Sequence, residues 1–190
     1  KDFADDAETV QDLIAISDDP KEIEDRFYRE LEFGTAGMRG VLGAGTNRLN
    51  KYNVRRVTRA LAKYILTTPD GAQKGVAIAY DSRRKSTEFA REAALVLCAA
   101  GVKVFLYESL RPVPVLSFTV RHLNCIAGIV ITASHNPAQY NGYKVYWTDG
   151  AQMPPESVKG ITDRLPDTTY EEALPMDEQE ALDKGLLTYI

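Results

Sequence analysis

The stretch Ile129-Val130-Ile131-Thr132-Ala133-Ser134-His135-Asn136-Pro137-Ala138-Gln139-Tyr140-Asn141-Gly142-Tyr143-Lys144 carries a β-branched run into a polar loop and back out through Asn-Gly. The run from Ile126 to Ile131 does not alternate with polar residues, which suits a strand covered on both faces. Val76 to Tyr80 and Val102 to Leu106 read the same way. Between these runs the spacing is helical, with one stripe of Val54, Val57, Leu61 and Ile65 and another of Phe89, Ala93, Leu97 and Ala100. Strand, helix and strand in succession imply right-handed crossovers, hence an α/β fold whose mainly parallel sheet lies between helices. In such a fold ligands gather beyond the carboxyl ends of the strands, and Ser134 follows one of those ends directly.

Outward from this centre, Asn53 and Ser86 are expected to cap the starts of the two helices, and Gly101 to end the second. Residues 1–30 read as one or two acidic helices broken by Asp18-Asp19-Pro20, and Pro112 and Pro114 mark the entry to a further short helix. After Trp147 the chain turns polar and proline-bearing, with Pro154-Pro155, Pro166 and Pro175, and Ala181 to Ile190 looks like a helix entering a strand. The expected organisation is therefore an N-terminal helical segment over 1–30, a main domain over 31–165, and over 166–190 a linker and the start of a second domain that the sequence does not contain.

Composition narrows the class. Of the 190 residues 44% are apolar and 26% charged, the balance of a soluble globular chain long enough for one good core. A net charge of -4 with no lysine- and arginine-rich run argues against a nucleic-acid binder. No apolar stretch is long enough to span a bilayer, and the polar start Lys1-Asp2-Phe3-Ala4-Asp5-Asp6 is no signal peptide, so the expectation is a cytoplasmic protein without a membrane partner. Cys98 and Cys125 have neither CxxC spacing nor the density of a disulfide scaffold and read as buried free thiols.

Ser134 is not nucleophilic by itself, and its loop is not the Gly-x-Ser-x-Gly elbow of an α/β-hydrolase. His135 is its immediate neighbour in sequence, so its ring would point away; a hydrogen-bonding or phosphate-contacting role suits it better than activation of the serine. The alternative reading is that Ser134 and Thr132 only satisfy backbone groups of the turn and His135 only decorates the surface. Lys144 lies ten residues after Ser134, where a returning strand could bring its amine back over the same loop. Asp81-Ser82-Arg83-Arg84-Lys85-Ser86, between a buried strand and a helix, either supports that loop or holds a capping serine and solvated basic side chains.

Thr132-Ala133-Ser134-His135-Asn136-Pro137 followed by Asn141-Gly142-Tyr143-Lys144 resembles the phosphoserine loop of the α-D-phosphohexomutase superfamily, which includes phosphoglucomutases and phosphomannomutases. Glu32-Phe33-Gly34-Thr35-Ala36-Gly37-Met38-Arg39-Gly40 is similar to that family's N-terminal Gly-Thr-x-Gly-x-Arg segment. The resemblance covers the chain from about Phe27 to the tail. It implies the first of four domains, a three-layer α/β/α sandwich with a mixed, mainly parallel sheet; Tyr140 to Trp147 is closer to the phosphoglucomutase and phosphopentomutase branch.

The resemblance further implies a phosphoserine at Ser134 that phosphorylates a sugar monophosphate and takes the other phosphate back from the bisphosphate, moving phosphate between the 1- and 6-positions of a hexose. It makes Ser134 and Lys144 the catalytic pair, with Lys144 as proton shuttle, and Arg39, His135 and Asn136 substrate-binding. Ser134, through its phosphate, becomes a ligand of an essential Mg2+, a hard ion that prefers oxygen. A glucose 1,6-bisphosphate-type activator would load the serine, and sugar phosphates and the remaining three domains of the full-length enzyme would be the partners. The family's Asp-x-Asp-x-Asp-Arg metal loop, sugar-recognition loop and C-terminal phosphate-binding loop are absent from these residues, so this stretch alone is expected to be inactive. The alternatives are a phosphopentomutase of the same family, a noncatalytic sugar-phosphate-binding module and, last, a serine hydrolase built on His122 or His135.

Overall fold

A computed structural model describes residues 6–35 and 37–190; the expectations for Lys1 to Asp5 and for Ala36 of the glycine-rich segment fall outside them. In chain order the elements are α1 (Ala7–Ala15), α2 (Pro20–Phe27), β1 (Gly37–Val41), α3 (Lys51–Ile65), α4 (Gly71–Lys74), β2 (Val76–Tyr80), α5 (Ser86–Ala99), β3 (Val104–Leu106), α6 (Val113–His122), β4 (Ala127–Ile131), β5 (Tyr140–Tyr146), α7 (Pro155–Thr162), a 3-10 turn (Glu171–Ala173), α8 (Glu178–Asp183) and β6 (Leu187–Tyr189). The strands form one sheet in the order β1-β5-β4-β2-β3-β6, parallel from β4 to β6 and antiparallel where β5 meets β4 and β1. This is the mixed α/β sheet between helical layers that the sequence implied.

The two faces are covered unequally. Val54, Leu61 and Ile65 of α3 and Phe89, Ala93 and Leu97 of α5 join Ile78, Ile129, Tyr143 and Val145 in one large core. On the other face Leu116 and Val120 of α6 pack with Ala77, Ala79, Val130 and Tyr146. Gly128 of β4 is part of this fit, because an added Cβ would sit 2.5 Å from Val120 Cγ2. Every residue of β2 and β4 is buried, and burial at about 25 cal/mol per Å2 of apolar surface is what makes their unbroken apolar runs stable as central strands. Among the described residues no helix is long and apolar enough to cross a membrane.

Four local expectations need correction. Asn53 lies inside α3, buried, and donates to the carbonyls of Thr46 and Arg48; the cap is Asn50, whose side chain accepts from the Asn53 N–H. Ser86 is the first residue of α5 rather than its cap, and its hydroxyl donates to Asp81 Oδ1 at 2.7 Å, while Lys85 before it takes a φ of +67°. Asn141-Gly142 is not the turn: the chain reverses at Pro137–Tyr140, and both residues lie within β5, with Gly142 opposite Arg39 of β1. Glycine is required there by contact, since a Cβ on Gly142 would come within 2.6 Å of the Thr132 carbonyl oxygen. Finally, 166–190 is more than a linker: Ala181 of α8 and Leu187 of β6 are buried in the main core, and β6 adds an edge strand beside β3.

Other readings agree with the structure. Gly101, at φ +80°, ends α5, and Val102 N–H returns to the Leu97 carbonyl. Cys98 and Cys125 are buried and unpaired, and burial pushes their thiols up to about 12 and about 11. Their interior placement keeps both in the neutral form.

Candidate active site

α6 packs on β2 and β4 and leaves the β5 and β1 end of that sheet face open. Strand geometry decides what emerges there. Tyr143 and Val145 point into the large core, so Lys144 between them must project from the opposite face. In β1 Met38 is buried and Arg39 is exposed, and the antiparallel register sets Gly37 against Lys144 and Arg39 against Gly142. Lys144 and Arg39 are therefore diagonal neighbours on one face. The approach of the two strands depends on Gly37, where a Cβ would lie 2.1 Å from the Tyr143 carbonyl oxygen.

The loop after β4 turns over this open end. Ser134 is exposed and takes a φ of +54°, a conformation that residues other than glycine and asparagine seldom adopt. Its N–H donates to Thr132 Oγ1 at 3.0 Å, and its Oγ accepts from Lys144 Nζ at 3.0 Å. Arg39 Nη1 donates to Asn136 Oδ1 at 3.0 Å. Of the five side chains singled out in the sequence, the structure thus brings four together in two bonded pairs, Ser134 with Lys144 and Arg39 with Asn136. His135 is exposed beside them, and neither it nor His122, which stacks on Phe118 of α6, bonds to Ser134. A hydrolase triad has no histidine in place.

Next to Lys144 and Arg39 an open groove of about 450 Å3 continues past Gly37, Thr35, Glu32 and Arg29 to Gln152. Neither Arg39 nor Lys144 meets a carboxylate among the described residues, so both cations are available to an anionic group brought to the Ser134 hydroxyl. Hydrogen bonds to a charged partner are about twice as strong as neutral ones, which gives such a group a clear advantage over water.

One participant is absent from the set that the sequence suggested. Arg83, in the turn after β2, reaches beneath the loop and donates to the carbonyl oxygens of Ser134, Asn136, Pro137 and Tyr140. The sequence signal was an arginine directly after a buried strand's carboxyl end, but that pattern fits a solvated turn equally well. Only the fold brings residue 83 to residue 134.

Residues 30–172 match the family phosphoglucomutase/phosphomannomutase, alpha/beta/alpha domain I. Human phosphopentomutase is 41% identical over 165 residues, which cover 83% of this chain and 27% of that protein. A phosphoglucomutase of Staphylococcus haemolyticus is 47% identical over 130 residues, covering 68% of this chain and 23% of its own. Among solved structures, a phosphoglucomutase/phosphomannomutase family protein from Burkholderia thailandensis aligns with a TM-score of 0.61 at 27% identity, covering 83% of this chain and 32% of that one. The chain spans about a quarter of the length of the curated relatives it matches.

Proposed function

Because this chain belongs to the phosphoglucomutase/phosphomannomutase family, as its alpha/beta/alpha domain I, we propose that it is the phosphoryl-carrying part of a phosphosugar mutase, with Ser134 as the carrier. The observation that supports this most directly is the 3.0 Å bond from Lys144 Nζ to Ser134 Oγ, which puts a proton-handling amine at the one exposed hydroxyl of the loop with a second cation, Arg39, on the same face.

Phosphoryl transfer asks a protein mainly for positioning and for positive charge around the moving group. A seryl phosphate carries about -1.5 to -2 charges near neutral pH. Lys144 and Arg39 would hold it, with Asn136 orienting the Arg39 guanidinium and His135 adding a donor at the rim. A sugar hydroxyl attacks the phosphorus, its oxygen–phosphorus bond forming as the Ser134 Oγ–phosphorus bond breaks, and Lys144, bonded to Oγ, hands that oxygen a proton as it leaves and is resupplied by the proton of the attacking hydroxyl. The bisphosphate turns around and its other phosphate passes back to Oγ, the Oγ hydroxyl proton moving by way of the Lys144 amine to the sugar oxygen that leaves.

Mg2+ bound at the phosphoserine would supply further neutralisation of the transferring charge. Ser134 fits such an ion as a single hard oxygen donor. The described residues hold no group of three His, Cys, Asp or Glu side chains able to bind a metal, so the remaining ligands would come from parts of the protein beyond them. The other three domains implied by the resemblance would bring those ligands together with the contacts that select the sugar.

For the substrate, the primary assignment is a hexose phosphate, with transfer between the 1- and 6-positions and a glucose 1,6-bisphosphate-type activator. A pentose phosphate is the second assignment; in its favour, the human phosphopentomutase matches 83% of this chain, against 68% for the staphylococcal phosphoglucomutase. Peptide mapping of the full-length protein before and after incubation with glucose 1,6-bisphosphate and Mg2+ tests the carrier. One phosphate on Ser134, discharged by sugar monophosphate, is the expected result. A full-length protein that never gains it is instead a sugar-phosphate-binding module. Relative turnover of glucose 1-phosphate and ribose 1-phosphate then separates the two sugars.

A further inference from the structure

The turn between β2 and α5 holds a basic residue that cannot act on a ligand in the way Arg39 can. The Arg83 side chain is only 16% exposed. Its Nη2 donates to the carbonyls of Ser134 and Asn136, both at 2.7 Å, and its Nη1 to those of Pro137 and Tyr140, both at 3.1 Å. A guanidinium has five N–H donors in one plane. Four are used on the loop, and the fifth, on Nε, faces Asp81 Oδ2 at 3.5 Å. None is left for a phosphate.

Asp81 holds this arginine from behind. Its Oδ1 accepts from the Arg83 N–H at 2.9 Å and from Ser86 Oγ at 2.7 Å. Asn141 of β5, fully buried, donates to Ser86 Oγ and to the Arg84 carbonyl, both at 2.9 Å. The turn after β2 is thus bonded both to β5 and to the loop that precedes β5.

Ser134 itself, at φ +54°, is in a strained backbone conformation that persists only where the surroundings over-determine it. Its N–H is held by Thr132 Oγ1 and its carbonyl by Arg83. The carbonyls that Arg83 gathers belong to residues on both sides of the loop's reversal, so one planar group fixes the loop's shape.

We propose that Arg83, fixed by Asp81, is a positioning residue that sets the direction of the Ser134 hydroxyl toward Lys144 and thereby the rate of phosphoryl transfer, with no contact to the transferred group. The proposal rests on Ser134 being the carrier. A reacting atom displaced by about 1 Å can lose roughly a hundredfold in rate.

The test compares Arg83→Ala, Arg83→Lys, Ser134→Ala and Arg55→Ala in the full-length enzyme. Arg55 is the control: it makes a comparable two-bond contact to Glu92, at 2.6 and 2.9 Å, between α3 and α5 and away from the loop. Arg83→Ala should lower kcat by roughly 30- to 100-fold, with KM moved little, because positioning of the hydroxyl and not substrate affinity is lost. Arg83→Lys should fall between it and wild type, since an ammonium offers three donors from a point instead of a planar fork. Added guanidinium ion should restore part of the Arg83→Ala rate and none of the Ser134→Ala rate. Arg55→Ala should melt earlier with its kcat intact. An inactive Ser134→Ala beside an Arg83→Ala of wild-type kcat, or one changed in KM alone, overturns the positioning role and leaves the carrier standing. Turnover by Ser134→Ala overturns the carrier itself. Should Arg83→Ala fail to fold, Arg83→Lys decides in the same way: a reduced kcat supports the role and a wild-type kcat ends it.

Discussion

Two basic regions of this molecule differ in what their cations touch. Around the chain from Gly43 to Tyr52, Arg26 meets Asp12 and Glu22 at 2.7 and 2.8 Å, Arg48 meets Glu22 and Asp25, and Lys51 meets Asp6 at 2.8 Å. Asp12 also accepts from the Ala44 N–H, so the two N-terminal helices are stitched to the loop before α3 by mutually neutralising groups. At the Ser134 loop, Arg39 and Lys144 meet, among the described residues, only the neutral oxygens of Asn136 and Ser134. The first region uses its charge to close the fold; in the second, neither cation meets a carboxylate among the described residues. A count of lysines and arginines would not separate them, whereas their partners do.

The contrast can be broken most severely at the serine. Ser134→Ala in the full-length enzyme should reduce mutase turnover by at least about a thousandfold, as loss of a covalent carrier does; a coupled assay with near-normal turnover would remove the loop's role. Lys144→Met should lower kcat by about 10²–10⁴-fold with little change in KM, the range for loss of an acid–base group. Unchanged kinetics would leave Lys144 as a strand lysine that merely neighbours the serine. Arg39→Ala should lower kcat/KM by about 10- to 100-fold, which corresponds to a charged hydrogen bond of about 1.5–3 kcal/mol.

The paired region should respond in stability and not in rate. Arg48→Met leaves Glu22 and Asp25, both well exposed, to be hydrated by water, so its cost should be about 1 kcal/mol or roughly 2–4 °C in melting temperature, with turnover unaltered. A fall in kcat there would show that the two regions are coupled. The smallest effect should be read from how steeply stability falls in acid. Burial by itself would raise the Asp6 carboxyl, but hydrogen bonds from Lys51, Thr9 and Tyr52 outweigh it and hold the pKa well below the usual range. A folded-state pKa lowered in this way stabilises the fold above the unfolded value near about 4, and that contribution fades as the pH falls below it. Melting curves of Asp6→Asn should therefore show a shallower loss of stability below about pH 4 than wild type; identical slopes would mean that Asp6 contributes nothing to acid sensitivity.

Much of the architecture was legible because its signals are local. The unbroken runs at Val76–Tyr80 and Ile126–Ile131, the 3.6-residue stripes of α3 and α5, and Gly101 as a helix stop each depend on neighbours a few residues away. Misreadings came where a distant contact outweighed local preference. Asn141-Gly142 has the composition of a turn, yet the Thr132 carbonyl crowding residue 142 explains the glycine within a strand. Asn53 has the chemistry of a cap, yet it is spent on the carbonyls of Thr46 and Arg48. The tail looked like a departure from the domain, and Leu187 with its pairing to β3 makes it the sheet's edge.

By itself the sequence determined the alternation of strands and helices and the position of Ser134 just past a buried strand, since side-chain periodicity and turn chemistry act over a few residues. Only the tertiary structure decided which charges are free and what they face. The β1–β5–β4 register places Lys144 and Arg39 on one open face, and the crossover from β2 through β3 to β4 returns the chain so that Arg83 lies beneath a loop some fifty residues away. Such contacts are set by packing and backbone pairing across the sheet, which no local pattern of residues encodes.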